Sequence, residues 1–89
     1  MQLENQISII TGSGRNIGEG IAKRYAEEGA KVAIVDKLGE RTAAVAAAIN
    51  ASYPSAALAI ECDVTNSASV QAMVAKVISE WGHVDVLVN

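Results

Sequence analysis

Four short apolar runs, separated by three stretches of helical spacing, constrain this chain more than any other feature. Ile7–Thr11, Lys31–Asp36, Ala57–Cys62 and Val84–Val88 read as strands. Val32-Ala33-Ile34-Val35 is apolar without alternation, the pattern of a strand covered on both faces. Between them, Ile17–Glu28 repeats apolar residues at Ile17, Ile21, Ala22, Tyr25 and Ala26, and Gly29 is placed to end that helix in a left-handed conformation. A second helix, from about Glu40 to Ser52, is alanine-rich, with Val45 and Ile49 its largest packing residues. A third, from about Ser67 to Trp81, carries the stripe Val70, Val74, Val77, Ile78 and Trp81. Strands alternating with helices argue for a parallel sheet with helices on both faces. Right-handed crossovers then restrict the topology. The expectation is an α/β, Rossmann-like sheet of order 3-2-1-4, with a ligand crevice beside strand one, where the winding reverses.

Composition excludes several classes of function. Hydrophobic residues make up 51% of the 89, enough for a core built from Ala, Val, Ile and Leu. Seven basic residues against ten acidic ones give a net charge of -3. No basic cluster supplies the electrostatic footprint of nucleic-acid binding. Cys62 stands alone, so neither an internal disulfide nor a cysteine metal cluster is expected. Met1-Gln2-Leu3-Glu4-Asn5 lacks a signal-peptide core, and no apolar run approaches membrane-spanning length. A cytoplasmic protein is the expectation, without nucleic acid or membrane as partner.

The turn after strand one is the candidate ligand site. Thr11-Gly12-Ser13-Gly14-Arg15-Asn16-Ile17-Gly18-Glu19-Gly20 joins a buried strand to a helix N-terminus. Amides at a helix start lack internal partners, and the dipole places positive charge there, which suits a phosphate. Glycine lets the backbone approach a pyrophosphate with no Cβ in the way. The glycines fall at 12, 14, 18 and 20. This departs from G-x-G-x-x-G, which would need glycine where Ile17 stands, and no Walker A lysine follows. A tight structural turn is the competing reading. Asn16 is the residue best able to replace a glycine at positive φ.

Further candidate positions lie at the carboxyl ends of strands on the same side. Asp36 can accept from both hydroxyls of an adenosine ribose and repel a ribose 2′-phosphate. One such charge pair at roughly 4 Å and an effective dielectric of about 20 is worth about 4 kcal/mol before screening. Arg15 and Lys37 oppose this, since either can reach a 2′-phosphate. Asp63 can accept from an adenine amino group while the backbone of Val64 meets the ring. Alternatively, Asp63 is a turn residue ahead of a helix capped by Thr65 or Ser67. Cys62 and Trp81 read as core, and His83 as an exposed turn residue without a partner.

Taken together, these residues resemble the N-terminal part of a short-chain dehydrogenase/reductase. Thr11 to Gly18 is similar to that family's T-G-x-x-x-G-x-G motif, with Asn16 in place of the middle glycine. Cys62-Asp63-Val64 resembles its Asp-Val pair at the adenine ring. Gly82 to Asn89 resembles the approach to its N-N-A-G motif, with Asn89 as the first Asn. The resemblance implies cofactor contacts at Gly12, Gly14, Arg15, Asn16, Ile17, Gly18, Asp36, Lys37, Asp63, Val64 and Asn89. It implies NAD, preferred, or NADP as cofactor, hydride transfer to or from a carbonyl or alcohol substrate, and a homo-oligomer. The family's catalytic tyrosine, lysine and serine lie beyond Asn89. No Y-x-x-x-K occurs here, because Gly29 and Ala57 stand four residues after Tyr25 and Tyr53. Residues 1–89 are thus expected to form an incomplete dinucleotide-binding domain, truncated after strand four and inactive alone. An apolar terminal run, Val86-Leu87-Val88, agrees with this.

Two other functions share parts of the pattern. An S-adenosylmethionine methyltransferase also uses a glycine turn and acidic strand ends, but usually has an acidic residue where Thr11 stands. A non-catalytic nucleotide-binding or interaction module would recruit a partner through the edge of strand four.

Overall fold

The computed structural model describes residues 5–12 and 16–88, with Asn16 and Ile17 in backbone only. The elements run β1 (Ile7–Thr11), α1 (Asn16–Glu27), β2 (Lys31–Asp36), α2 (Gly39–Ser52), β3 (Ala57–Glu61), α3 (Ser67–Trp81) and β4 (Val86–Val88). The strands form one parallel sheet in the order β3-β2-β1-β4. Both the element order and the winding are as the sequence predicts.

Alternation along the strands sends side chains to two cores. Ile10, Val32 and Ile34 meet Ala22 and Ala26 of α1 and Val45, Ala46 and Ile49 of α2 on one face. Ile7, Ile9, Ala33, Val35 and Ile60 meet Met73 and Val77 of α3 on the other. Small side chains on α1 and α2 let both helices lie close to the sheet. Such a core leaves little room to relax, so truncating Ile34 to alanine costs about 2–5 kcal/mol.

The helix ends have separate physical causes. Gly29 (φ 98) and Gly82 (φ 91) take left-handed conformations after α1 and α3, as a β-carbon would resist. Asn66 caps α3, its side chain accepting from the Ser69 amide at 3.0 Å. The cap expected at Thr65 or Ser67 therefore falls between them.

Three expectations need correction in the packing. Ile78 is 46% exposed, whereas Met73 is buried. Residue 78 is turned about 100° from Val77 on the helix, toward a flank of α3 that no other described helix covers. Trp81 is only half-buried, and the Lys31 ammonium lies 5.9 Å from its ring centroid. β4 begins at Val86 rather than Val84. Asp85 turns its carboxylate onto the Ile7 amide, at 2.8 Å, where a longer strand would have continued the ladder.

Candidate functional site

Parallel register brings the carboxyl ends of all four strands to one edge. Thr11 pairs with Val35, Ile10 with Val88, and Asp36 with Glu61. The Thr11 hydroxyl donates to the Val88 carbonyl at 3.1 Å, tying the start of the glycine turn to the end of β4. Beyond Thr11 the chain turns at Gly12, with φ 67. A β-carbon added at Gly12 would meet nothing within 4 Å. Conformation, and open space for a ligand against the backbone, account for this glycine.

Asn16 and Ile17 open α1. Asn16 is thus helical, and the left-handed conformation anticipated there is found at Gly12 instead. Gly18 follows within the first turn of α1. Gly14, Arg15 and Asn89 lie outside the described residues.

Asp36 ends β2 with only 8% of its surface exposed. One carboxylate oxygen, Oδ1, accepts from the Leu38 amide at 3.2 Å. A short turn with an acceptor two residues before an amide produces this bond locally. Lys37 is exposed beside it. The Cys62 amide donates to the Asp36 carbonyl at 2.9 Å, which carries the chain from β3 into Asp63 next to β2.

Asp63 is committed to its own turn. Its Oδ1 accepts from the Thr65 hydroxyl at 2.6 Å and from the Thr65 amide at 3.0 Å. These two bonds, with a smaller contribution from the Lys37 charge, hold its carboxyl below the ordinary value of 3.8. Val64 stands 56% exposed and Leu38 40% exposed on this edge, two apolar surfaces of the kind a flat ring can cover. Cys62 is buried, as expected, with the Ser69 hydroxyl 3.5 Å from its sulfur.

Glu61 stands on the same edge, at a position that motif spacing does not single out. It is the register partner of Asp36 and accepts from the Gly39 amide at 3.2 Å. The alternation Ala57, Ala59, Glu61 is the signal in the sequence that places it on the face of α2. His83, expected to be without a partner, contacts Asp85 at 2.9 Å. That pair lies at the amino end of the sheet, away from the glycine turn. A cavity of about 600 Å³ opens at the same amino end, between Ile7, Ala26, Lys31, Tyr53, Trp81 and His83, and none of the residues at the carboxyl ends of the strands lines it. Among the described residues no acidic, histidine or cysteine group is arranged to hold a metal, and no helix is long and apolar enough to cross a membrane.

A glycine turn into a helix, a buried carboxylate ending β2 and apolar surfaces at the next turn fit a dinucleotide lying across the strand ends. Known proteins resemble this chain in sequence and fold. The family model for short chain dehydrogenases matches residues 6–89. Sorbitol dehydrogenase of Cereibacter sphaeroides and galactitol 2-dehydrogenase of Agrobacterium fabrum are each 45% identical over 89 residues, all of this chain and 33% of theirs. The crystal structure of 3-ketoacyl-(acyl-carrier-protein) reductase from Brucella melitensis, complexed with NADH, matches with a TM-score of 0.90 at 44% identity, over 96% of this chain and 34% of that one. The chain spans about a third of the length of these relatives. Agreement of sequence and fold over nearly the whole chain removes the methyltransferase alternative. On residues 6–89 the chain belongs to the short chain dehydrogenase family.

Proposed function

We propose that this chain is the cofactor-binding part of a cytoplasmic, homo-oligomeric oxidoreductase, and that it binds NAD in preference to NADP. In this reading residues 1–89 form the N-terminal portion of a dinucleotide-binding domain. The observation that carries the cofactor preference is the Asp36 carboxylate, buried at the end of β2 with Oδ1 turned to the Leu38 amide. A carboxylate held there accepts from ribose hydroxyls and repels a 2′-phosphate. The presence of NADH in the Brucella reductase complex supports the same choice.

The other contacts follow from position. Gly12, Gly14, Arg15, Asn16, Ile17 and Gly18 approach the pyrophosphate, with the amides that open α1 as donors. Asp63 and Val64 border the adenine, with Lys37 at the rim. Because Asp63 Oδ1 already serves Thr65, Oδ2 is the oxygen free to turn toward an amino group. Asn89 is the remaining contact that the family resemblance implies. When bound, the nicotinamide gives or takes the hydride of a carbonyl or alcohol substrate. The catalytic tyrosine, serine and lysine come from outside these residues.

Direct titration of NADH and NADPH into the protein, followed by nicotinamide fluorescence, tests the reading. NADH is expected to bind more tightly. Asp36→Ala is expected to reduce that preference without abolishing it. Equal affinity for both cofactors in the unaltered protein would count against Asp36 as the selector.

A further inference from the structure

The amino end of α2 points at the same strand ends as the proposed cofactor site. A helix start is ordinarily a place where anions bind, because its first amides are unpaired. Here the residue at the cap position is Leu38, which has no side-chain acceptor to offer. Two carboxylates from neighbouring strands take its place. Asp36 accepts from the Leu38 amide and Glu61 from the Gly39 amide, each at 3.2 Å. They come from paired positions on adjacent parallel strands, so both project from one face of the sheet. Gly39 makes the second contact possible. A β-carbon there would collide with the Glu61 carboxylate and press on Glu61 Cβ at 3.3 Å.

We propose that Glu61 is a second specificity-determining carboxylate, which occupies the amino end of α2 and closes it to a ribose 2′-phosphate. The proposal rests on the reading of this edge as the cofactor site. A 2′-phosphate beside Asp36 needs amide donors and a positive potential. The Leu38 cap amide and the first amide of α2, at Gly39, already serve carboxylates, and each carboxylate adds a negative charge. Asp36 holds the ribose; Glu61 occupies an amide donor beside it and adds negative charge where a phosphate would lie. Loss of Asp36 alone therefore leaves a site that still resists NADP.

NADH and NADPH titrations of the full protein, read by nicotinamide fluorescence, test this in Glu61→Gln and Glu61→Ala. Glutamine keeps an acceptor for Gly39 but loses the charge. It is expected to tighten NADPH about tenfold, as removal of one screened charge at close range implies. NADH is expected to change by less than about twofold, since the ribose hydroxyls do not depend on Glu61. Alanine also frees the Gly39 amide, so it should favour NADPH more than glutamine does. A ratio of the two affinities unchanged in both variants overturns the assignment. So does parallel weakening of both cofactors, which would mark Glu61 as only structural. If the unaltered protein binds neither cofactor, the nucleotide reading falls, and this proposal with it. NADH binding with an unmoved ratio removes Glu61 alone.

Discussion

Asp85 and Ile7 hold each other twice. The Ile7 amide donates to Asp85 Oδ2 at 2.8 Å, and the Asp85 amide donates to the Ile7 carbonyl at 2.8 Å. One residue thus closes the amino end of the β1–β4 pair with both its side chain and its backbone. At the other end, Thr11 reaches the Val88 carbonyl. The short strand β4 is fastened to β1 at each end, which compensates for having only three residues in the ladder.

Asp85→Ala is expected to destabilise the protein by about 1.5–3 kcal/mol, the usual range for a hydrogen bond to a charged group. Urea unfolding measures it. A change below about 0.5 kcal/mol, the range of ordinary surface substitutions, would mean the backbone bond alone holds the strand.

Ser8 carries the opposite prediction. Its hydroxyl is buried at the second residue of β1 and has no hydrogen-bond partner among the described residues. An unpaired buried hydroxyl costs free energy that a methyl group does not. Ser8→Ala is expected to raise stability by about 1 kcal/mol, or roughly 4–8 °C in melting temperature for a chain of this size. Calorimetry reads the shift, and a fall would show that the hydroxyl is paired.

At Asp63 the prediction concerns pH. The Thr65 hydroxyl and amide favour the charged carboxylate, so its folded value lies below 3.8. The stability these bonds contribute is present above the unfolded value and is lost as pH falls through the folded one. Thr65→Val removes the larger cause and should move the Asp63 midpoint up toward 3.8. Carboxyl-carbon NMR titration follows that residue directly, and an unmoved midpoint would reject the hydroxyl as the cause.

Gly12 and Gly39 predict different failures from the same substitution. Gly12→Ala meets no atom within 4 Å but must adopt φ 67, a strain of about 1–2 kcal/mol. Gly39→Ala has no such strain and instead displaces the Glu61 carboxylate. Thermal melts beside hydrogen exchange at residue 39 distinguish them: a lower melting temperature in the first, faster local exchange in the second.

The fold was legible because hydrophobic period and turn chemistry agree at every element. Unbroken apolar strands, Gly29 and Gly82 as helix stops, and crossover handedness leave one sheet order. Asp36 could be placed at the end of β2, and Asp63 in the turn after β3, by counting alone. Glu61 could not, because its contact with Gly39 depends on strand register and on a missing β-carbon in another element. Ile78 and Met73 exchanged roles for a similar reason: helical spacing gives the stripe, but what lies beside the helix decides which edge of it is covered.

Trp81 is the chain's single tryptophan, and its ring lies beneath Lys31 at the amino end of the sheet. It is therefore a built-in optical probe placed far from the glycine turn. Its emission follows the docking of α3 onto the start of β2, whereas nicotinamide emission follows events at the strand ends. Reduced nicotinamide absorbs where tryptophan emits, so cofactor uptake at one end of the sheet would register at Trp81 as energy transfer and could be timed in a stopped-flow trace without any attached label.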